Sequence, residues 1–128
     1  MELAALDTVT LAEEGVEFEV VHPKIGNTGV FIKMLGADSR QYKAALREVA
    51  KKMTPDTTAQ DMETELAIRC TVGWRGIDEG GQAMRFSDAN LRKVYAAAPI
   101  VREQSVAFMR DRGNYFRGPG EGASGSGA

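Results

Sequence analysis

Between residues 36 and 42 the apolar pattern of this chain changes period, and one packed domain has to accommodate both periods. In VEFEVVHP (16–23), Val16, Phe18 and Val20 alternate with Glu17, Glu19 and Val21, the spacing of a strand with one face buried. GNTG (26–29) reads as the turn leading into VFIKML, since Asn27 and the glycines tolerate positive φ, and the two runs form an antiparallel hairpin. The upstream LDTVTLAE offers a third strand. Beyond Asp38 the repeat is helical: Tyr42, Ala45, Leu46, Val49, Ala50 and Met53 recur along one face, and Asp38 with Gln41 has the spacing of a capping box.

The helical period continues to the end of the apolar sequence. After Pro55, a cap at Thr57 or Thr58 starts a helix that carries Ala59, Met62, Leu66, Cys70, Gly73 and Trp74 on one stripe, with Ile68 and Val72 on another face. Apolar positions on more than one face mark it as the central element. Trp74 closes that stripe as a core residue, and Gly76, Gly80 and Gly81 let the chain reverse. Ser87 is then the N-cap of a further helix, with Phe86 and Leu91 placed as a hydrophobic staple and Val94 and Tyr95 facing inward. Pro99 opens the last helix, IVREQSVAFMRDR, with Ile100, Val101, Phe108 and Met109 inward and a stop at Gly113 and Asn114. The expected fold is a single α+β domain over 1–117, an N-terminal antiparallel hairpin with two or three strands followed by about four helices. From 118 to 128, GPGEGASGSGA has no large apolar residue and reads as a flexible tail.

A chain of 128 residues with 43% hydrophobic and 27% charged residues has the usage of a soluble domain. No apolar run approaches the roughly 20 residues of a membrane span, and the N-terminus is acidic where a signal peptide is basic, so cytoplasm is the expected compartment. A single cysteine, Cys70, and a single histidine, His22, do not make a metal site, and Cys70 on an apolar stripe reads as packing. His22 has no nucleophile partner suggested by spacing. The glycines of GWRGIDEGG follow a helix and lack a phosphate-loop pattern. Net charge is −2, with basic and acidic residues interspersed, which argues against a nucleic-acid binder. Neither catalytic residues nor cofactor or metal ligands are expected. Tyr115 and Phe116, just beyond the last helix, have two open placements, a partner surface or a return to the core.

The ordered combination of FEVVHPKIGNTGVFIKMLGADS, a helix, and VGWRGIDEGGQAMRFSDANLRKVYAAAPIVREQSVAFMRDRGNYF resembles the tail assembly chaperones of long-tailed (siphovirus-type) bacteriophages and prophages, over about residues 1–117. The part that carries the resemblance is GWRGI, a polar turn, FS with asparagine and leucine, Val101–Gln104, and the aromatics Tyr115 and Phe116. The resemblance implies a non-enzymatic protein of the infected cell that binds the helical tape measure protein, self-associates, and is absent from the finished virion. It also implies a longer, frameshifted form that recruits the tail tube protein, for which the glycine and serine tail would serve as a tether. The competing class is a structural tail or head-to-tail joining component. Met109, Tyr115 and Phe116 form the expected partner surface, because methionine adapts to varied partners and aromatics dominate interfaces.

Overall fold

A computed structural model describes residues 1–118; the tail expected at 118–128 lies, apart from Gly118, outside the described residues. The fold is α+β. Strands β1 (Val16–His22), β2 (Gly26–Met34) and β3 (Thr71–Arg75) form an antiparallel sheet in that order. The helices are α1 (Val9–Glu14), α2 (Arg40–Lys51), α3 (Ala59–Cys70), α4 (Asp88–Ala97) and α5 (Pro99–Arg110). A short hairpin, β4 (Asp78–Glu79) and β5 (Gln82–Ala83), joins β3 to α4, and 3-10 turns occupy Leu3–Leu6 and Arg112–Tyr115.

The period-two pattern is realised as expected. Val20, Ile32 and Met34 are buried, with Phe18, Val30 and Trp74 packed beside them, while Glu17, Lys33 and Arg75 are exposed on the opposite face. On that face Arg75 lies 3.8 Å over the Phe31 ring and its Nη2 donates to Glu17 at 2.9 Å. An antiparallel sheet tolerates one wet face because its backbone is already paired. The outer edge of β1 is closed by a side chain of α5: Gln104 Oε1 accepts from Val21 N at 2.9 Å and Gln104 Nε2 donates to Val21 O at 2.7 Å.

Three strand-level expectations are corrected. The hairpin reverses at 23–25, and GNTG belongs to β2, where Gly26 and Asn27 pair with His22 and Val21. His22 stabilises this turn, its Nδ1 accepting from Lys24 N at 3.1 Å and Ile25 N at 3.3 Å. LDTVTLAE supplies α1 instead of a strand, because Asp7 Oδ1 accepts from Val9 N at 2.8 Å and Thr10 N at 3.1 Å and so satisfies the helix start. The third strand is β3, which had been read as the end of the central helix. Thr71 is β-branched, its Oγ1 donates to Ala67 O at 2.6 Å, and Val72 and Gly73 follow, all poor helix residues.

Trp74 is therefore a sheet residue opposite Ile32. It is half-buried, its Nε1 donates to Met84 O at 2.9 Å, and Phe86 meets its ring edge-on at 5.0 Å. Gly76 has φ 89°, and a Cβ there would lie 2.1 Å from Gly29 O, so this crossing of β2 requires glycine. Gly80 and Gly81, also at positive φ, make the β4–β5 turn.

The helices follow their caps. Ser39, not Asp38, caps α2, its Oγ accepting from Tyr42 N at 3.0 Å. Thr58 and Asp61 form a reciprocal capping box on α3 at 3.0 Å in each direction. Leu66, Ala67, Ile68 and Cys70 are buried on several faces of α3, which contacts α2, α4 and α5, the central position expected for it. Burial pushes the Cys70 thiol up to about 11, so it stays a neutral packing group. Ser87 caps α4 by accepting from Asn90 N at 3.1 Å, and both Phe86 and Leu91 enter the main core, as does Val94 with Tyr95. Pro99 is the first residue of α5. That helix ends without a Gly113–Asn114 cap: Asp111 Oδ1 accepts from Gly113 N at 2.9 Å and Asn114 Nδ2 donates to Phe108 O at 3.1 Å, which winds a 3-10 turn instead.

The segment after β2 ties the layers together. Leu35 N donates to Cys70 O, Gly36 N to Ala12 O and Ala37 N to Met109 O, at 2.8, 2.9 and 3.1 Å. A Cβ on Gly36 would lie 2.8 Å from Ala12 Cβ and 2.9 Å from Tyr115 Cζ, so α1 and the C-terminal turn meet over a glycine. Leu11, Ala12 and Tyr115 form a second, small core there.

Candidate functional site: a groove across the helical layer

The expected partner surface does not assemble. Met109 and Tyr115 are each 1% exposed, which makes them core residues of this chain and not a docking surface. Tyr115 folds back because its ring has a receptor: it packs edge-on to Phe108 at 5.8 Å and its hydroxyl donates to Met34 O at 3.2 Å. Burial raises its pKa above the usual tyrosine range. Phe116 alone of the three reaches the surface, at 41% exposure, so a single ring remains of that site. Ser87 caps α4 with Phe86 and Leu91 packed in the main core, whereas Trp74, expected to close the buried stripe of the central helix, is a half-buried residue of β3, and Gly76 follows it where the chain crosses β2.

What the fold does present is a groove over α3. A first depression of about 380 Å³ lies between α2 and α3, with Val49 and Met62 as its apolar lining and Lys52, Asp61 and Arg69 around it. A second, of about 360 Å³, lies among α3, α4 and α5, lined by Ile68, Tyr95, Ala96 and Pro99 with Arg102 at its side. Glu65 and Arg92 border both. Arg92 Nη2 reaches Glu65 Oε2 at 3.4 Å and its Nε donates to Asp88 at 3.0 Å, so this ion pair is the ridge between the two halves. The bonds to Glu65 and then Asp88 raise the Arg92 pKa further, and it is a permanent cation.

On α2, Leu46 is 40% exposed, three residues before Val49 on the same helical face, and Met53 just past the helix is also exposed. The apolar part of the first depression's lining, Met62 above the buried Val49, lies between charged borders. Cations outnumber carboxylates on the lining: Lys52, Arg69, Arg92 and Arg102 against Asp61 and Glu65.

Other polar groups have local uses. The Thr71 hydroxyl lies 2.7 Å from the Tyr95 hydroxyl, inside the core beneath the second depression. Among the described residues no group of three or more His, Cys, Asp or Glu side chains is placed to hold a metal ion, and no helix is long and apolar enough to cross a membrane. The chain matches no protein-family model, no curated protein and no solved structure.

Sequence reasoning missed Met62, Lys52 and Arg102 as groove residues. Met62 belongs to the apolar stripe expected of the central helix, and no motif singles out Lys52. The signal that pointed this way is the width of the α2 stripe, since Leu46 and Met53 extend it past the face that Ala45 and Val49 bury.

Proposed function

We propose that this chain is a non-enzymatic assembly chaperone of long-tailed phage, which binds the helical tape measure protein in the host cytoplasm and is not retained in the virion. The observation that supports the proposal is the pair of neighbouring depressions over α3, where Met62 and Pro99, above the buried Val49 and Ile68, lie between charged borders as in helix-in-groove recognition. Supporting it is the sequence resemblance over about residues 1–117. A long helix offers many successive apolar ridges, so modest affinity at each site sums to high avidity along the tape. Self-association along that partner, and recruitment of the tail tube protein through a longer form, belong to the same proposal.

Co-expression of the full chain with the tape measure protein of its own genome tests it. The expected result is a co-purifying complex that Met62→Lys disrupts while the variant still melts cooperatively. A complex indifferent to Met62→Lys removes the groove from the mechanism. Recovery of the chain from purified particles would make it a tail or head-to-tail joining component instead.

A further inference from the structure

The second half of the groove contains a cation that the fold leaves underused. Arg102 is only 13% exposed at its side chain, yet it makes no side-chain hydrogen bond among the described residues. Its one ion-pair neighbour there is Glu103, 3.9 Å away and 70% exposed. Adjacent residues on a helix do not face each other, so this contact spends little of the guanidinium's donor capacity. Arg92, across the same depression, is by contrast held by both Glu65 and Asp88. No Arg102 nitrogen is among the buried atoms left without a partner, so the guanidinium still reaches solvent through the depression, and a bidentate anion seated there replaces that water with two directed hydrogen bonds.

We propose that Arg102 is the anchor for a single acidic side chain on the partner helix, seated in the depression among α3, α4 and α5 while the partner's apolar ridge covers Val49 and Met62. The inference rests on the groove being the docking site of the proposed function, and it adds the chemistry by which that site selects its register on a long helix. The lining favours a carboxylate over a phosphate. The exposed Ala96 and Pro99 offer apolar contact to the methylenes of an aspartate or glutamate, and Glu65 on the border repels a dianion more than a monoanion. The planar guanidinium also accepts a carboxylate through two parallel hydrogen bonds, which fixes orientation as well as position. Lys52 along the groove adds attraction for an acidic helix, whereas Arg69 and Arg92 are already paired, with Glu65 and with Glu65 and Asp88.

A library of helix-forming peptides of roughly 20 residues, apolar on one face and varied beside it, is the probe, selected for binding to the full chain. The expected winners carry Asp or Glu at one fixed position beside the apolar face. Changing that residue to its amide, or Arg102→Gln in the protein, weakens binding about 10- to 100-fold, and the two changes together weaken it no further than either alone. Arg102→Lys keeps the charge and the stem but loses the fork, so it retains part of the affinity. Melting curves of each variant precede the binding measurements, and Arg102→Lys carries the test if Arg102→Gln does not fold. Peptides with no acidic preference, or with a preference that survives Arg102→Gln, overturn the inference while leaving the groove in place. Peptides that bind Met62→Lys as well as the natural chain overturn the groove itself.

Discussion

Asp38 illustrates how a residue with the right local pattern serves a distant purpose. Its spacing from Gln41 reads as a helix cap, but Ser39 takes that role, and the Asp38 carboxylate accepts instead from Arg112 Nε at 2.7 Å, Arg112 Nη2 at 2.9 Å and Thr8 Oγ1 at 2.6 Å. The Arg112 guanidinium, and next the Thr8 hydroxyl, hold its carboxyl at about 2 against an ordinary 3.8. The folded state therefore prefers the ionised form, and this contribution is fully present above pH 3.8 and lost as the pH falls toward about 2. Asp38→Asn should cost about 1–2 kcal/mol at neutral pH, and its melting temperature should fall less than that of the natural chain across that acid window. An equal fall in both proteins would show that other carboxylates control acid unfolding. Tyr115 and Phe116 divide in the same way between core and surface. Tyr115→Phe should cost about 1 kcal/mol by removing the hydroxyl's bond to Met34 O, and Tyr115→Ser about 3–5 kcal/mol, whereas Phe116→Ser should stay below about 1 kcal/mol. Urea unfolding measures all three.

Elements were legible where a cap and a period agree. α2, α3 and α4 begin at or beside the residues that the capping patterns mark, and β1 alternates as VEFEV does. The errors fall where apolar spacing is weighed without residue preference and capping. TVGWR continues a helical apolar stripe by spacing, but Thr71, Val72 and Gly73 are poor helix residues, and pairing with β2, 37 residues earlier at Met34 opposite Thr71, holds them extended. LDTVTLAE has β-branched residues that suit a strand, but Asp7 captures the first amides and α1 wins. The glycines after β3 were correctly read as reversals, though not equally demanding ones. Gly76 and Gly80 both have positive φ, but a Cβ at Gly80 meets nothing within 4 Å whereas one at Gly76 lies 2.1 Å from Gly29 O. Gly80→Ala should thus cost about 1 kcal/mol and Gly76→Ala about 3 kcal/mol or more. Thermal melting followed by Trp74 fluorescence would separate them, and equal effects would mean that strain in φ, not the strand crossing, sets the requirement.

At the scale of the molecule, the α+β class was readable and the candidate site was not. The groove needs α2, α4 and α5 placed around α3, and no window of sequence contains the residues that border it, which run from Val49 to Arg102. Met109 and Tyr115 were misplaced for the same reason, since their receptors are Ala37, Met34 and Phe108, brought together only by the complete fold. The small core of Leu11, Ala12 and Tyr115 makes the C-terminal turn a structural part of the domain. A chain ending at Asp111 should lose several kcal/mol and unfold at a much lower temperature, through loss of Tyr115 and the Arg112 pair. Removal of residues 119–128, which carry no large apolar side chain, should leave the melting temperature unchanged. That closure also orders events on the ribosome. α1 is made before every strand and every other α-helix among the described residues, and Tyr115 is the last buried side chain among them, so a nascent chain holds Leu11 and Ala12 uncovered until the C-terminal turn has been made.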